Sequence, residues 1–241
     1  LETWPMKNED TLKSEIYLRV KEIFAQRKRK KTFVPGKTWV QYAGGVFDHA
    51  EINASISSLI DGWFGLGEHA DALEKRLAEF VGTKGSILTN SGSSSNLLVI
   101  ASLMSPLFHN HLNPGDEVIT SACGFPTTVN PLLQNGLVPV FVDIDPHTYN
   151  PTVRSIEQAI TKKTRAIVLA HTLGNPNEMD GIMKLCKKYS LFLVEDNCDA
   201  LGSEYNGKKT GSFGILATQS FYPPHHMTMG EGGAVLYSDI R

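Results

Sequence analysis

The run Phe192-Leu193-Val194-Glu195-Asp196-Asn197-Cys198 is an apolar segment that ends in two adjacent carboxylates. A short run without polar alternation is typical of a strand that is buried on both faces of a parallel sheet. The carboxyl ends of such strands face the crevice in which α/β proteins bind their ligands. Asp196 is therefore a candidate ligand-binding residue; the alternatives are a cap for the next helix and a Mg²⁺ ligand.

The same pattern extends on both sides of this run. From Gly85 onward, short apolar runs alternate with longer segments in which apolar residues recur at helical spacing. This alternation predicts a three-layer α/β/α domain with a mostly parallel sheet. The strands are predicted at 86–89, 117–120, 138–142, 166–170, 192–195, 218–221 and 234–237, and the helices at 93–105, 127–135, 152–161 and 178–189.

The residues before Gly85 are predicted to be helical, at 8–31, 49–63 and 69–81. In the first of these helices Leu12, Ile16 and Ile23 recur at roughly helical spacing. A basic run at 27–31 lies at the predicted C-terminus of this helix, where positive charge is favoured by the helix dipole. We assign residues 1–35 to an N-terminal helical segment and residues 36–241 to one large domain.

Composition excludes several classes of protein. The net charge of −2 over 241 residues argues against nucleic acid as the main partner. No apolar stretch approaches the about 18 residues of a membrane span, and no signal peptide is visible. The three cysteines, Cys123, Cys186 and Cys198, are widely spaced, which fits a reduced cytoplasm rather than a disulfide framework.

A second candidate element is the run Thr89-Asn90-Ser91-Gly92-Ser93-Ser94-Ser95-Asn96, which follows a predicted strand and opens an apolar helix. Glycine allows close backbone approach, and the N–H groups at a helix start attract an anion such as phosphate. Ordinary capping of the helix by hydroxyl side chains is the alternative. The run is not a P-loop, since the lysine of that motif is missing.

Two further candidates follow other predicted strands. Phe125 comes after the strand at 117–120, where an aromatic ring can stack on a flat cofactor or belong to the core. His225 lies in the run Ser220-Phe221-Tyr222-Pro223-Pro224-His225, followed by a glycine-rich stretch. An imidazole can take and give a proton near neutral pH, so His225 is a candidate general base.

Together these elements resemble the DegT/StrS family of sugar aminotransferases, in the order in which that family carries them. The segment at 220–225 is similar to the family's S-F-x-P-x-K motif, and residues 63–67 are similar to its N-terminal signature. The resemblance extends from about Val40 to Ser238. It implies the fold of type I PLP-dependent transferases, the aspartate aminotransferase fold, with residues 36–241 as the cofactor-binding domain.

The resemblance also implies roles for individual residues. Gly92, Ser93 and Ser220 would hold the phosphate of the cofactor, Phe125 would stack on its pyridine ring, and Asp196 would pair with its ring nitrogen. His225 and Asp196 are the implied catalytic residues. His225 stands where the family's lysine binds pyridoxal phosphate (PLP) covalently, so the implied cofactor is pyridoxamine phosphate (PMP), held without that bond.

Within the family, His225-His226 with the stretch 229–233, and the run at 171–176, are particularly similar to the CDP-4-keto-6-deoxyglucose 3-dehydrases of 3,6-dideoxysugar and O-antigen synthesis. Those enzymes remove the C3 hydroxyl of a nucleotide-linked sugar with PMP and a [2Fe–2S] cluster. Cys198 matches the first cluster cysteine. The resemblance therefore implies a cytoplasmic homodimer that receives electrons from an NADH-dependent iron–sulfur flavoprotein reductase.

Two alternatives remain within this resemblance. One is a GDP-4-keto-6-deoxymannose 3-dehydratase, which shares the histidine but has no cluster; the other is a catalytically inactive relative that binds PLP or a partner as a regulator. Family members are close to twice this length. We therefore expect that the small C-terminal domain and three further cluster cysteines lie beyond Arg241.

Overall fold

The computed structural model describes residues 7–28, 32–41 and 43–238. Residues 29–31, which end the first predicted helix and its basic run, lie outside these ranges. The chain divides into two compact units, Leu1–His69 and Ala70–Arg241. The boundary at 35/36 inferred from the sequence stays a prediction.

The first unit contains two helices, α1 (Glu9–Lys28) and α2 (His49–Ile60), which contact each other. A capping box begins α2: the Asp48 side chain accepts a hydrogen bond from the backbone at the start of the helix, and the Glu51 side chain accepts one from the Asp48 N–H. Such reciprocal bonds satisfy N–H groups that have no partner inside the helix. This explains why α2 begins where it does.

The second unit is the predicted α/β domain. After α3 (Glu68–Val81) come β1 (Gly85–Thr89), α4 (Gly92–Leu103), β2 (Glu117–Ser121), α5 (Pro126–Gln134), β3 (Val138–Val142), α6 (Val153–Ala159), β4 (Thr164–Ala170), a 3₁₀ turn (Thr172–Gly174), α7 (Met179–Tyr189), β5 (Phe192–Asp196), β6 (Glu204–Tyr205), β7 (Lys208–Lys209), β8 (Leu216–Ser220) and β9 (Gly233–Tyr237).

Seven strands form one sheet in the order β1-β9-β8-β5-β4-β2-β3. The strands from β8 to β3 are parallel, and β9 pairs antiparallel with both β8 and β1. The predicted mostly parallel sheet is therefore confirmed. In its register Asp196 lies between Ala170 of β4 and Thr218 of β8, so the end of β5 is at the centre of the sheet.

Two details differ from the sequence predictions. The strand predicted at 218–221 is β8, which runs from Leu216 to Ser220, and Phe221 already belongs to the following loop although it is fully buried. The hairpin β6–β7 was not predicted. Asn206-Gly207 forms its turn with positive φ at both residues, and this pair is a strong hairpin signal that the sequence contains.

Apolar clusters cover both faces of the sheet, as the three-layer prediction requires. One cluster includes Val99 and Leu103 of α4 and Val168 of β4; the other includes Ile156 of α6, Ile182 of α7 and Ile167 of β4. The alternation of Ile167 and Val168 between the clusters follows from the two-residue period of a strand. No helix among residues 7–28, 32–41 and 43–238 is long and apolar enough to cross a membrane.

We predict that Leu103→Ala lowers the free energy of unfolding by about 2–5 kcal/mol, because Leu103 is fully buried at the end of α4 and the substitution leaves a cavity. Leu107→Ala is the matched control, since Leu107 is 96% exposed four residues further on. Urea denaturation measures both. Equal effects of the two substitutions would contradict the packing of α4 on the sheet.

Candidate active site

The N-terminus of α4 lies at the carboxyl edge of the sheet. Ser91 caps the helix, since its hydroxyl accepts a hydrogen bond from the Ser94 N–H at 3.1 Å. The N–H groups of Gly92 and Ser93 have no acceptor among the described residues, as is usual in the first turn of a helix. Ser91 therefore caps α4, while the N–H groups of Gly92 and Ser93 leave the N-terminus of the same helix open to an anion.

Gly92 joins three elements of the site. A methyl group at Gly92 would lie 2.5 Å from Ser220 Cβ at the end of β8 and 3.1 Å from the Cys198 thiol after β5. The contact with Ser220 is closer than two carbon atoms allow, and the contact with Cys198 is tight, so only glycine permits this approach. Gly92 and Ser220 are buried, whereas Ser93 is exposed beside them.

Asp196 ends β5 and is only 5% exposed. Its Oδ2 accepts hydrogen bonds from Asn96 Nδ2 at 2.9 Å and from Thr128 Oγ1 at 2.6 Å. Its Oδ1 accepts one from the Cys198 N–H at 3.2 Å, with Thr218 Oγ1 at 3.4 Å. All of these donors are neutral.

No lysine, arginine or histidine of the described residues forms an ion pair with Asp196. A buried carboxylate that has hydrogen bonds but no cation is an incompletely compensated charge. Asp196 does not cap a helix, because no helix follows β5 directly. Within the described part of the chain no three His, Cys, Asp or Glu side chains are grouped to hold a metal ion. The site therefore suits a cationic group of a ligand.

Sequence reasoning missed the donors to Asp196. Asn96 lies in α4, Thr128 in α5 and Thr218 in β8. The single hydroxyl proton of Thr218 goes to Asn96 Oδ1 at 2.7 Å, so Thr218 holds Asn96 in place beside Asp196. The available signal was weak: Asn96 is a polar residue within an apolar helix, and all three side chains are buried. Their common partner becomes visible only in the folded structure.

Glu195, the neighbouring carboxylate, points to the other face of the strand. Its two oxygens accept backbone N–H groups from Gly211 at 2.8 Å, Phe213 at 2.7 Å and Gly214 at 2.6 Å. His171 Nε2 is the fourth donor at 2.9 Å, because its Nδ1 accepts the Asn177 N–H and is therefore unprotonated. Glu195 has a full set of donors, so its role is structural.

Phe125 is the N-cap of α5 and is 68% exposed, so the core alternative does not describe it. Three residues further along the same helix, Thr128 donates to Asp196. Phe125 is thus an exposed aromatic residue on the element that also supports the buried carboxylate.

His225 lies in the loop between β8 and β9. Phe221 anchors this loop: its N–H donates to the Gly232 carbonyl at 2.9 Å, and its carbonyl accepts from the Met229 N–H at 3.0 Å. The His225 side chain is 17% exposed, and its Nδ1 lies 3.4 Å from Asp199 Oδ1. His226 is exposed. The structure thus connects His225 with the loop that follows Asp196.

The three thiols are free and differ in environment. Burial raises the pKa of Cys198 well above its usual range, and the neighbouring Asp196 carboxylate raises it further. Burial also raises the pKa of Cys186, in the core, to about 12. Cys123 is exposed. Cys198 is therefore a protonated thiol at neutral pH, held between Gly92 and Thr218.

The fold is that of type I PLP-dependent transferases, with an open helix start, a buried carboxylate and an imidazole brought to the carboxyl edge of a mostly parallel sheet. The chain belongs to the DegT/DnrJ/EryC1/StrS aminotransferase family, whose model matches residues 47–241. The resemblance inferred from the sequence is thereby confirmed.

Three proteins with sequences similar to this chain are described here. The chain is 48% identical to the lipopolysaccharide biosynthesis protein RfbH of Salmonella typhimurium, over 94% of this chain and 52% of that protein. It is 50% identical to the dTDP-4-dehydro-2,6-dideoxy-D-glucose 3-dehydratase of Saccharopolyspora spinosa, over 90% and 47%. The solved structure of the E. coli GDP-4-keto-6-deoxy-D-mannose-3-dehydratase with bound hydrated PLP is 36% identical, with a TM-score of 0.79, over 84% and 52%. The chain thus spans about half the length of these relatives.

We predict that Glu195→Ala lowers the free energy of unfolding by about 3 kcal/mol or more, because the buried N–H groups of Gly211 and Gly214 and the partly buried N–H of Phe213 lose their acceptor. Glu204→Ala is the matched control, since Glu204 is exposed and forms only a surface ion pair with Lys209. Chemical denaturation compares the two. A loss below 1 kcal/mol for Glu195→Ala would show that Glu195 does not hold the turn at 211–214.

Proposed function

We propose that this chain is the cofactor-binding part of a PMP-dependent enzyme that removes the C3 hydroxyl of a nucleotide-linked 4-keto-6-deoxyhexose. The observation that carries the proposal is the buried Asp196, which has no cationic partner among the described residues, together with a histidine at the position of the family's lysine. The names of the relatives, two of them sugar 3-dehydratases, support this choice of reaction.

The residues present fit such a cofactor. Asp196 offers a buried negative charge to a protonated ring nitrogen, and Phe125 offers an exposed aromatic face. The open N–H groups of Gly92 and Ser93, with Ser220 against Gly92, suit a phosphate. When bound, PMP supplies an amine that condenses with a sugar ketone and a ring that accepts electrons.

His225 would move the proton in this reaction. It would take a proton from the carbon that bears the amine of bound PMP and would return a proton to the C3 hydroxyl, which would leave as water. Asp196 would hold a positive charge on the ring nitrogen, so that the ring could accept electrons. Because an imidazole forms no imine, the cofactor is held only by its phosphate, by Asp196 and by stacking, and it exchanges with solution.

For the substrate we propose CDP-4-keto-6-deoxy-D-glucose, because the sequence around His225-His226 resembles that of the CDP-4-keto-6-deoxyglucose 3-dehydrases. The GDP-linked mannose derivative is the second candidate, because a GDP-4-keto-6-deoxy-D-mannose 3-dehydratase of Yersinia pseudotuberculosis is 42% identical over 82% of this chain. Turnover of the two nucleotide sugars by one preparation distinguishes the candidates. We place the protein in dideoxysugar and O-antigen synthesis in the cytoplasm.

We also propose a homodimer. Large apolar side chains are exposed in the first unit, and contiguous exposed apolar surface commonly marks a protein interface. These side chains include Trp39, Val40, Val46, Trp63, Phe64 and Leu66.

The described residues do not by themselves fit an iron–sulfur cluster. A cluster needs four thiolates, whereas within the described ranges no other cysteine joins Cys198 in a metal-ligand group. The [2Fe–2S] cluster and the NADH-dependent iron–sulfur flavoprotein reductase therefore rest on the resemblance, and we derive no step through them. Ligands from outside these 241 residues would have to complete such a cluster.

The proposed function predicts that His225→Asn abolishes dehydration, by at least about 100-fold, because the asparagine amide cannot accept the proton. PMP should stay bound, since no phosphate or ring contact is assigned to His225. His226→Asn is the matched control on the adjacent exposed residue. Product formation and PMP binding are measured separately. Near-normal turnover in His225→Asn would place the base elsewhere.

The cluster proposal predicts that Cys198→Ser in the full-length protein removes iron and its visible absorption. Cys123→Ser, at an exposed thiol that no role is assigned to, is the control. If iron is unchanged and PMP binding weakens instead, Cys198 serves only to pack the start of α4.

A further inference from the structure

His225 is presented by a stiff turn. Its N–H donates to the Tyr222 carbonyl at 3.0 Å, which closes the turn Tyr222-Pro223-Pro224-His225. The two prolines fix their φ angles and leave few conformations to this segment. The imidazole therefore has a defined position even though it lies in a loop.

Asp199 is presented with similar rigidity from the other side. The Ala200 N–H donates to the Asn197 carbonyl at 3.0 Å, so the chain turns directly after β5. Gly174 packs against this turn, since a methyl group there would lie 3.1 Å from the Asp199 carbonyl oxygen. Asp199 thus comes from the same short loop as Asp196.

The two side chains meet with a defined polarity. Nδ1 of His225 lies 3.4 Å from Oδ1 of Asp199, which is an ion-pair distance and not yet a hydrogen bond, and Nε2 makes no polar contact among the described residues. Asp199 is half-exposed and has no second ionic partner in the described ranges, whereas His225 is mostly buried. An ion pair with one solvent-exposed partner is screened by water and contributes little to stability, so fold stability does not account for this arrangement.

We infer that Asp199 is the positioning residue for His225. As an acceptor beside Nδ1, the carboxylate keeps the proton of the neutral imidazole on Nδ1 and leaves the lone pair of Nε2 free to take a proton. When Nε2 takes that proton, the imidazolium has a carboxylate beside it; when Nε2 gives the proton up, the neutral ring returns to the same tautomer. Contacts of this kind commonly shorten when a ligand binds.

This inference rests on the proposed function for its consequence in catalysis, but its structural part stands without it. Asp196 at the end of β5 and Asp199 in the loop that follows would then have different roles. Asp196 would face the ring of the cofactor, and Asp199 would orient the base. A base held by a third group is the arrangement that activates catalytic histidines in general.

The test uses the full-length protein with Asp199→Asn, Asp199→Glu and the control Glu231→Gln. Glu231 is an exposed carboxylate in the same loop as His225 and forms no ion pair among the described residues. We expect Asp199→Asn to lower kcat for dehydration about 10- to 100-fold with KM for the sugar nearly unchanged, Asp199→Glu to recover part of the loss, and Glu231→Gln to behave as the unsubstituted protein. The thermal midpoint should not change.

A second readout does not depend on turnover. Nitrogen NMR of ¹⁵N-histidine-labelled protein, without cofactor and with PMP, reports which nitrogen of His225 carries the proton, and His225→Asn assigns the signals. We expect the Nδ1–H tautomer in the unsubstituted protein and a mixture in Asp199→Asn. An unchanged tautomer together with unchanged kcat would overturn the inference. Absence of dehydration in the unsubstituted protein, with the tautomer shift present, would instead overturn the proposed function.

Discussion

The carboxylate of Asp196 is the constraint on which the site depends. An ionised carboxylate that is 5% exposed loses most of its hydration, and the cost is several kcal/mol unless donors and a counter-charge replace the water. Asn96 and Thr128 contribute donors from α4 and α5, and the following loop contributes the Cys198 N–H. These bonds tie two helices to the central strand, but they bring no positive charge. The remaining electrostatic imbalance is what a cationic ring nitrogen would relieve.

Glu195 and Asp196 show how one strand separates two roles with the same functional group. Successive side chains of a strand point to opposite faces, so adjacent carboxylates have entirely different surroundings. Glu195 meets three backbone N–H groups of the turn at 211–214 and the imidazole of His171. Its acceptor capacity is used inside the protein. The donors to Asp196 are neutral side chains and one N–H group. Its negative charge is therefore still available to a cationic group of a ligand.

The sequence predicted the layers of the fold because apolar strands and periodic helices leave a clear pattern; the strand at 138–142 has the same limits in the structure. It began β8 two residues late, at Thr218 instead of Leu216, and extended it to Phe221, which is fully buried although it lies in the following loop. Within β8 the polar Thr218 and Gln219 are buried through bonds to Asn96 and Asn197. Such bonds satisfy polar groups inside a sheet, and apolar pattern alone cannot detect them.

The same limitation applies to the site. Asp196 and His225 each end a recognisable local pattern, so the sequence marks them as candidates without their surroundings. Their partners are separated from them by long stretches of chain: Thr128 is 68 residues from Asp196 and Asn96 is 100 residues away. No local signal marks a residue whose role is defined by such a contact. Asp199 is an intermediate case, because it lies three residues after Asp196 but meets its partner only where β8 and the loop after β5 come together.

The exchange of lysine for histidine changes what the surrounding protein must supply. A lysine that is bonded to its cofactor is positioned by the bond itself, whereas an imidazole without such a bond takes its orientation from neighbouring groups. The closed turn at 222–225 limits the backbone of His225, and the Asp199 carboxylate distinguishes its two nitrogens. Phe221 extends this support to the glycine-rich stretch through the Gly232 carbonyl. The loop that carries His225, the proposed base, is therefore fixed at both ends, and under the proposed function a noncovalent cofactor could exchange without loss of the position of the imidazole.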